Sequence, residues 1–194
     1  IRHLDALLAP ATVAVIGASP RPGSVGAMAW RRLREGGFGG PLYPVNLRHA
    51  QLDGAKVWRR VADLPQAPSL ALICTPAATV PGLVRQLGQR GTRAAIVLTR
   101  GLDAATRQAM LDAARPYTLR ILGPGSTGLL VPHLGLDAST APIGARPGDI
   151  AFVSQSGALV AAMLDWADAR GVGFSHVVSL GDSADVDKIG RAHV

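Results

Sequence analysis

Residues 12–26 of this chain, TVAVIGASPRPGSVG, decide its fold. The apolar run at 12–16 predicts a buried strand that ends at Gly17, and residues 25–35 predict the helix that follows. Glycines at such a turn let backbone N–H groups approach phosphate oxygens, and the positive end of the helix dipole favours an anion. The stretch therefore predicts a strand, a phosphate-binding loop and a helix at the start of a Rossmann-like domain.

Two serines strengthen this interpretation of the loop. Ser19 and Ser24 can add hydroxyl donors, and Ser24 can also cap the helix. A simpler interpretation is a tight turn that needs positive φ at its glycines and holds no ligand. Because the loop follows the first strand of a doubly wound pattern, we favour a ligand that carries phosphate.

Short apolar runs alternate with amphipathic stretches after the loop, as is typical of βαβ units and a parallel sheet. We predict further strands at 41–45, 70–74, 94–98 and 119–122. We also predict helices at about 80–90 and at 103–115. Together these elements complete one doubly wound α/β domain over residues 1–123.

The next segment, 124–148, is rich in Gly, Pro, Ser and Thr without a sustained period, which predicts a crossover between domains. A second unit then starts at 149–188, with strands at 150–154 and 175–180. Its helix at 158–169 has one apolar face, formed by Leu159, Ala162, Met163 and Trp166. Since about forty residues are too few for a complete α/β domain, we expect this one to be cut short.

The chain begins without methionine and ends in IGRAHV at 189–194. This hexapeptide matches the translation of a common sequencing adapter. We therefore expect residues 189–194 to be read-through rather than native sequence.

The amino-acid composition of the chain limits the classes of function that we expect for it. The 194 residues are 48% hydrophobic, hold one cysteine, Cys74, and lack the run of about 18–20 apolar residues that spans a bilayer. We therefore expect a cytoplasmic protein with no membrane association. The formal charge of +7 would suit a nucleic-acid partner, but the arginines are scattered and aromatic residues make up 4%. We expect no such partner.

The end of the second strand bears on the kind of ligand. An NAD site needs an acidic residue there to hold the ribose hydroxyls, and the sequence YPVNLRH at 43–49 has none. Arg48 and His49 suit an additional phosphate on the ribose, as in NADP or coenzyme A. An ordinary solvated loop remains the alternative for these two residues.

Seven motifs occur in order along the chain: VAVIGAS at 13–19, GSVG at 23–26, YPVN at 43–46, ICTPAATVP at 73–81, LTRG at 98–101, LGPGSTGLL at 122–130 and VSQSGAL at 153–159. Through them, residues 4–188 resemble the N-terminal part of the NDP-forming acyl-CoA synthetases (acetate-CoA ligase, ADP-forming). That family is homologous to the α subunit of succinyl-CoA synthetase.

The resemblance implies a Rossmann-like CoA-binding domain followed by the start of a flavodoxin-like α/β domain. It places the phosphates of coenzyme A against Gly17, Ser19, Gly23, Ser24 and Val25, the adenosine end near Asn46 and Arg48, and the pantetheine arm along Thr75, Pro76, Thr99 and Arg100. The chain departs from the family pattern at Arg100, where a small or acidic residue is usual. A second departure is Gly125-Ser126, where Asn-Cys is usual, near the expected place of acyl transfer.

VSQSGAL delivers Ser154, Ser156 and Gly157 to a second helix N-terminus, which is again an anion site. The resemblance implies that this helix faces a phosphorylated histidine beyond Lys188. A serine nucleophile elbow is the alternative, but Ser154 and Ala158 stand where that motif has glycine. We therefore assign no catalytic residue and no metal site to this chain.

The resemblance implies that a small carboxylic acid, CoA and ATP give acyl-CoA, ADP and phosphate through an acyl phosphate and a phosphohistidine. ATP, ADP and Mg would bind to an ATP-grasp domain or subunit that is missing from this chain, so the chain alone is expected to be inactive. One alternative is a CoA-binding regulatory module of a GNAT-fused protein lysine acetyltransferase. Another is an NADP-binding oxidoreductase domain.

Overall fold

A computed structural model describes residues 3–186. The expected read-through at 189–194 lies outside the described residues. The helices are α1 (Leu4–Leu8), α2 (Val25–Glu35), α3 (Val80–Gln89), α4 (Ala104–Ala114) and α5 (Gly157–Asp168). The strands are β1 (Val13–Ile16), β2 (Leu42–Val45), β3 (Gln51–Leu52), β4 (Ala55–Lys56), β5 (Leu70–Ile73), β6 (Ala94–Val97), β7 (Arg120–Leu122), β8 (Gly128–Val131), β9 (Leu136–Ser139), β10 (Pro147–Ser154) and β11 (Phe174–Ser179).

The first sheet has the order β2-β1-β5-β6-β7 and is parallel throughout. Its strands are short apolar runs, and successive residues bury their side chains on opposite faces. Val13 and Val15 pack with α2 on one face, whereas Ala14 and Ile16 pack with α3 and α4 on the other. The predicted Rossmann-like doubly wound domain is confirmed, and its strands end at one common edge.

The second sheet has the order β10-β11-β8-β9. Strands β10 and β11 are parallel, and β8 pairs antiparallel with both β11 and β9. The predicted crossover at 124–148 therefore contains two strands, β8 and β9, where the lack of a period predicted no regular structure. Leu129, Leu130 and Val131 form a run too short to show a period, and it becomes a strand because β11 lies beside it.

Helix α5 covers the second sheet with Val160, Leu164 and Ala167, which are buried. The predicted apolar face is not this one, since Leu159 and Trp166 remain 50% and 48% exposed. The helix is apolar on both sides, so its period alone cannot select the side that packs.

The two sheets are joined by an ion pair between α2 and β9. Arg32 Nη2 lies 2.9 Å from Asp137 Oδ2, and both side chains are largely buried. Burial raises the pKa of Asp137, although bonds from Ser139 and the charge of Arg32 act in the opposite direction. A cavity of about 250 Å³ lies beside this pair, at the carboxyl end of α2.

Candidate functional site

The loop between β1 and α2 is shaped by two glycines. Gly17 has φ of +92°, and a Cβ there would stand 3.0 Å from Thr75 Cγ2 and 3.1 Å from the carbonyl group of Cys74. A Cβ on Gly26 would overlap the carbonyl oxygen of Gly17. The first turn of α2 therefore rests directly on the end of β1, which brings its free backbone N–H groups to the edge of the sheet.

Ser24 is the N-cap of α2. Its hydroxyl oxygen accepts from the N–H of Ala27 at 3.2 Å, and its proton is donated to the Arg21 carbonyl at 2.8 Å. The Ser24 hydroxyl thus holds the loop in one conformation. In the same loop, Ser19 Oγ accepts from the N–H of Arg21 at 3.1 Å. Gly23 has φ of +74° and open space where a side chain would be. The top of the loop is therefore accessible to an anion.

Asn46 ties the end of β2 to this loop. Its side-chain N–H donates to the Ala18 carbonyl at 2.7 Å, and its Oδ1 accepts from the backbone N–H of Arg48 at 2.8 Å. The Asn46 side chain is thus a brace between two neighbouring loops. The Arg48 side chain is exposed beside it and carries a charge that suits a phosphate.

The ends of β5 and β6 are joined by threonines. Thr99 Oγ1 donates to the Thr75 carbonyl at 2.7 Å, and Thr79 Oγ1 donates to Thr75 Oγ1 at 2.8 Å. Pro76 is exposed and precedes the short turn that leads into α3. Three threonines thereby line a polar strip along the sheet edge.

The sheet order sets the sequence-predicted residues in a row. Asn46 follows β2, Ser19 follows β1, Thr75 follows β5 and Thr99 follows β6, and these strands are neighbours in that order. Three strand spacings give a row about 15 Å long. The carboxyl edge of a parallel sheet is where open α/β folds bind extended ligands, so this row fits one that begins with phosphate.

At the β6 end of the row, residues from distant parts of the chain come together. The N–H of Gly125 donates to the Thr99 carbonyl at 2.9 Å, and the N–H of Asp182 donates to the Pro124 carbonyl at 2.8 Å. Arg100 is exposed next to them. No local motif marks Asp182 in the sequence, and only the contact between the two sheets brings it here.

The N-terminus of α5 forms the second predicted anion site. Ser156 is its N-cap and accepts from the N–H of Leu159 at 3.2 Å, while Ser154 Oγ accepts from the N–H of Ser156 at 3.1 Å. A Cβ on Gly157 would overlap the Thr127 methyl group. Thr127 lies in the same loop as Gly125. The N-terminus of α5 therefore contacts the loop that forms the β6 end of the row.

Cys74 lies at the end of β5, behind the loop glycine. Burial raises the pKa of its thiol to about 12. The thiol therefore stays protonated near neutral pH and is a poor nucleophile. Within residues 3–186, no three His, Cys, Asp or Glu side chains group together as metal ligands would. No helix in that part of the chain is long and apolar enough to cross a membrane.

Two protein families match the chain. The family described as CoA binding domain matches residues 11–132, and the family described as succinyl-CoA ligase like flavodoxin domain matches residues 147–189. The matches cover the row along the first sheet and the N-terminus of α5, respectively. They confirm the expected resemblance.

Curated relatives agree with these families. The α subunit of acetate-CoA ligase [ADP-forming] I from Pyrococcus furiosus is 36% identical over 95% of this chain, which covers 42% of that subunit. Acetate-CoA ligase [ADP-forming] I from Archaeoglobus fulgidus is 35% identical over 95% of this chain and 28% of its own length. This chain thus spans less than half the length of these relatives.

A solved structure shows that the similarity includes the fold. The apo structure of the Ca. Korarchaeum cryptofilum dinucleotide forming acetyl-coenzyme A synthetase 1 is 34% identical, with a TM-score of 0.92 over 96% of this chain and 42% of that one. These matches support neither the acetyltransferase-fused regulator nor the NADP oxidoreductase.

Proposed function

Since this chain belongs to the CoA binding domain family, we propose that it is the CoA-binding N-terminal part of an acyl-CoA synthetase that forms ADP. The complete enzyme would join a small carboxylic acid to CoA through an acyl phosphate, with ATP as the source of phosphate. A cytoplasmic location is part of this proposal.

One observation carries the proposal: the row of strand-end residues runs from the end of β2 past the N-terminus of α2, which closes onto Gly17, and continues past Thr75 to Thr99. Coenzyme A has the matching order of parts, with a charged nucleotide at one end, an uncharged pantetheine arm and a terminal thiol. The phosphates would lie at the N-terminus of α2. The hydroxyls and carbonyls of the threonine strip suit the amides of the arm.

Arg48 supports CoA over a ligand with an unmodified ribose. Its exposed guanidinium follows β2, on the side of the row where the adenosine would lie, and no acidic side chain stands beside it in residues 43–49. A guanidinium pairs well with the 3′-phosphate of CoA.

The second helix would supply a phosphate site. Gly157 presents its backbone N–H at the N-terminus of α5, beside the hydroxyls of Ser154 and Ser156 and against the loop that holds Gly125. An ATP-grasp domain or subunit would bind ATP and Mg and exchange the phosphoryl group with ADP. We therefore propose that this chain alone binds CoA without turning it over.

Calorimetric titration of the chain with CoA, NADP and NAD tests the ligand. We expect binding of CoA and none of either nicotinamide nucleotide. Tight binding of NADP without binding of CoA would overturn the proposal.

Two variants test the site. Ser24→Ala removes the hydroxyl that ties the Arg21 carbonyl to the N–H of Ala27, so the loop loses its fixed shape and CoA binding should weaken about fivefold. Ser156→Ala is the matched control, because it removes the same kind of cap from α5 and should leave CoA affinity unchanged. Arg48→Gln should make CoA and dephospho-CoA bind equally, whereas the unaltered chain should prefer CoA.

A further inference from the structure

A notch lies at the β6 end of the row, with Gly125 as its floor and Arg100 and Asp182 as its walls. A Cβ built on Gly125 would be 3.8 Å from Arg100 Cγ and 3.8 Å from Asp182 Oδ1, with no nearer atom outside Gly125 and its two neighbours in the chain. The floor has φ of +68° and is fixed by its hydrogen bond to the Thr99 carbonyl. The notch thus has room for one carbon atom in van der Waals contact with both walls.

The charge of Arg100 is not used by the fold. Within residues 3–186 neither Arg100 nor Asp182 takes part in an ion pair, whereas seven guanidinium–carboxylate pairs form elsewhere in that part of the chain. Because Arg100 is exposed and its guanidinium has no partner among these residues, it is free to bind a carboxylate of a ligand.

The direction of the row decides which part of a ligand reaches this notch. The helix N-terminus that suits phosphate follows β1, and the sheet then runs through β5 to β6. A CoA molecule bound with its phosphates at α2 therefore has its sulfur at the β6 end. The group attached to that sulfur is the acyl group.

We infer that Arg100 selects acids that carry a second carboxylate, so that the acyl group bound in the notch ends in an anion. This inference rests on the proposed CoA site and names the class of acid that the site prefers. The second carboxylate would pair with the Arg100 guanidinium, while the acyl chain crosses the bare floor at Gly125. Asp182 repels the same anion and so confines it to the Arg100 wall.

Acyl-CoA binding tests this on the chain as it exists, without any need for turnover. Calorimetry would compare two pairs of thioesters matched in chain length: malonyl-CoA with propionyl-CoA, and glutaryl-CoA with valeryl-CoA. We expect at least one carboxylated member to bind about tenfold more tightly than its neutral partner, as one charge-assisted contact allows. Arg100→Gln should abolish that preference, so that each carboxylated thioester binds no more tightly than its neutral partner.

Arg115→Gln is the matched control, because Arg115 is exposed and lies before β7, at the opposite edge of the sheet. It removes the same charge and should leave the preference intact. Equal affinities within both pairs, or a preference that survives Arg100→Gln, would overturn the inference while leaving the CoA site standing. Failure of unacylated CoA to bind would overturn the proposed function and this inference with it.

Inorganic phosphate is the other anion that Arg100 could hold. Titration with phosphate in the presence of CoA distinguishes binding of inorganic phosphate from binding of the acyl carboxylate. If Arg100→Gln weakens phosphate binding and leaves the thioester preference unchanged, the inference is wrong. If the thioester preference alone is lost, the inference stands.

Discussion

Gly26 packs against the carbonyl group of Gly17, so closely that a Cβ on Gly26 would overlap the Gly17 oxygen and stand 2.8 Å from its carbon. The contact sets how near the N-terminus of α2 comes to the end of β1. Gly26→Ala must push the helix away from the strand, and we expect a loss of about 1–3 kcal/mol in unfolding free energy. Because the same shift moves the N–H groups of the loop, CoA affinity should also fall.

Gly82 provides the control for this substitution. It too lies inside a helix, and nothing stands within 4 Å of the position of its Cβ. Gly82→Ala should therefore stabilise the protein slightly, by about 0.5–1 kcal/mol, with CoA affinity unchanged. Equal effects of the two alanines in urea unfolding would show that helix propensity, not the contact with Gly17, governs position 26.

Asn46 is a second test of the loop. Asn46→Ala removes the bonds to the Ala18 carbonyl and to the N–H of Arg48, so both loops lose their brace. We expect CoA affinity to fall about tenfold, the order of one or two hydrogen bonds lost at a partly buried site. Gln66→Ala is the control, since its amide donates only to the exposed Tyr43 hydroxyl. If calorimetry gives both variants the same CoA affinity, Asn46 does not position the site.

Much of the first domain could be predicted because its signals are local. Each strand of its sheet is a short apolar run, and the predicted bounds of α2 agree with the structure because Ser24 caps its start and Gly36 ends it. The order of the site residues along the edge follows from the same strands. The family motifs then indicated coenzyme A. The loop alone could not distinguish it from other ligands that carry phosphate.

The features that were missed depend on long-range contacts. Strand β8 exists because β11 lies beside it, and the Gly and Pro residues around it hide any period. Asp182 reaches the row because its N–H bonds to the Pro124 carbonyl across the two sheets. The role of Asn46 as a brace could not be predicted either, because one side chain can bind a ligand or a carbonyl equally well.

The pair of Arg32 and Asp137 should make stability depend on pH. Burial raises the folded-state pKa of Asp137 above its unfolded value, so the folded state holds the proton more tightly. The resulting stabilisation is fully present below the unfolded pKa and is lost as pH rises through the folded pKa. Arg32→Ala removes the charge that compensates the carboxylate, and we expect it to cost about 3 kcal/mol near neutral pH.

The pH comparison separates this cause from a simple loss of packing. In urea unfolding, the cost of Arg32→Ala should become smaller as the pH is lowered from about 8, because the raised pKa of Asp137 favours its protonated form. Arg31→Ala is the control, because Arg31 pairs with Glu35 at 3.9 Å on the surface and should cost under about 1 kcal/mol. A cost of Arg32→Ala that does not change with pH would mean that the carboxylate of Asp137 is not what Arg32 compensates.

Two leucines of α5 test which side of that helix packs. Leu164 is 1% exposed and Leu159 is 50% exposed, so the same truncation should have unequal effects. Leu164→Ala should lower the unfolding free energy by about 2–5 kcal/mol, whereas Leu159→Ala should lower it by less than about 1 kcal/mol. Similar losses for the two variants would place Leu159 in a buried contact and would favour the helix face that the sequence had predicted. The unequal result instead requires that the sheet, and not the apolar period of the helix, selects the packed side.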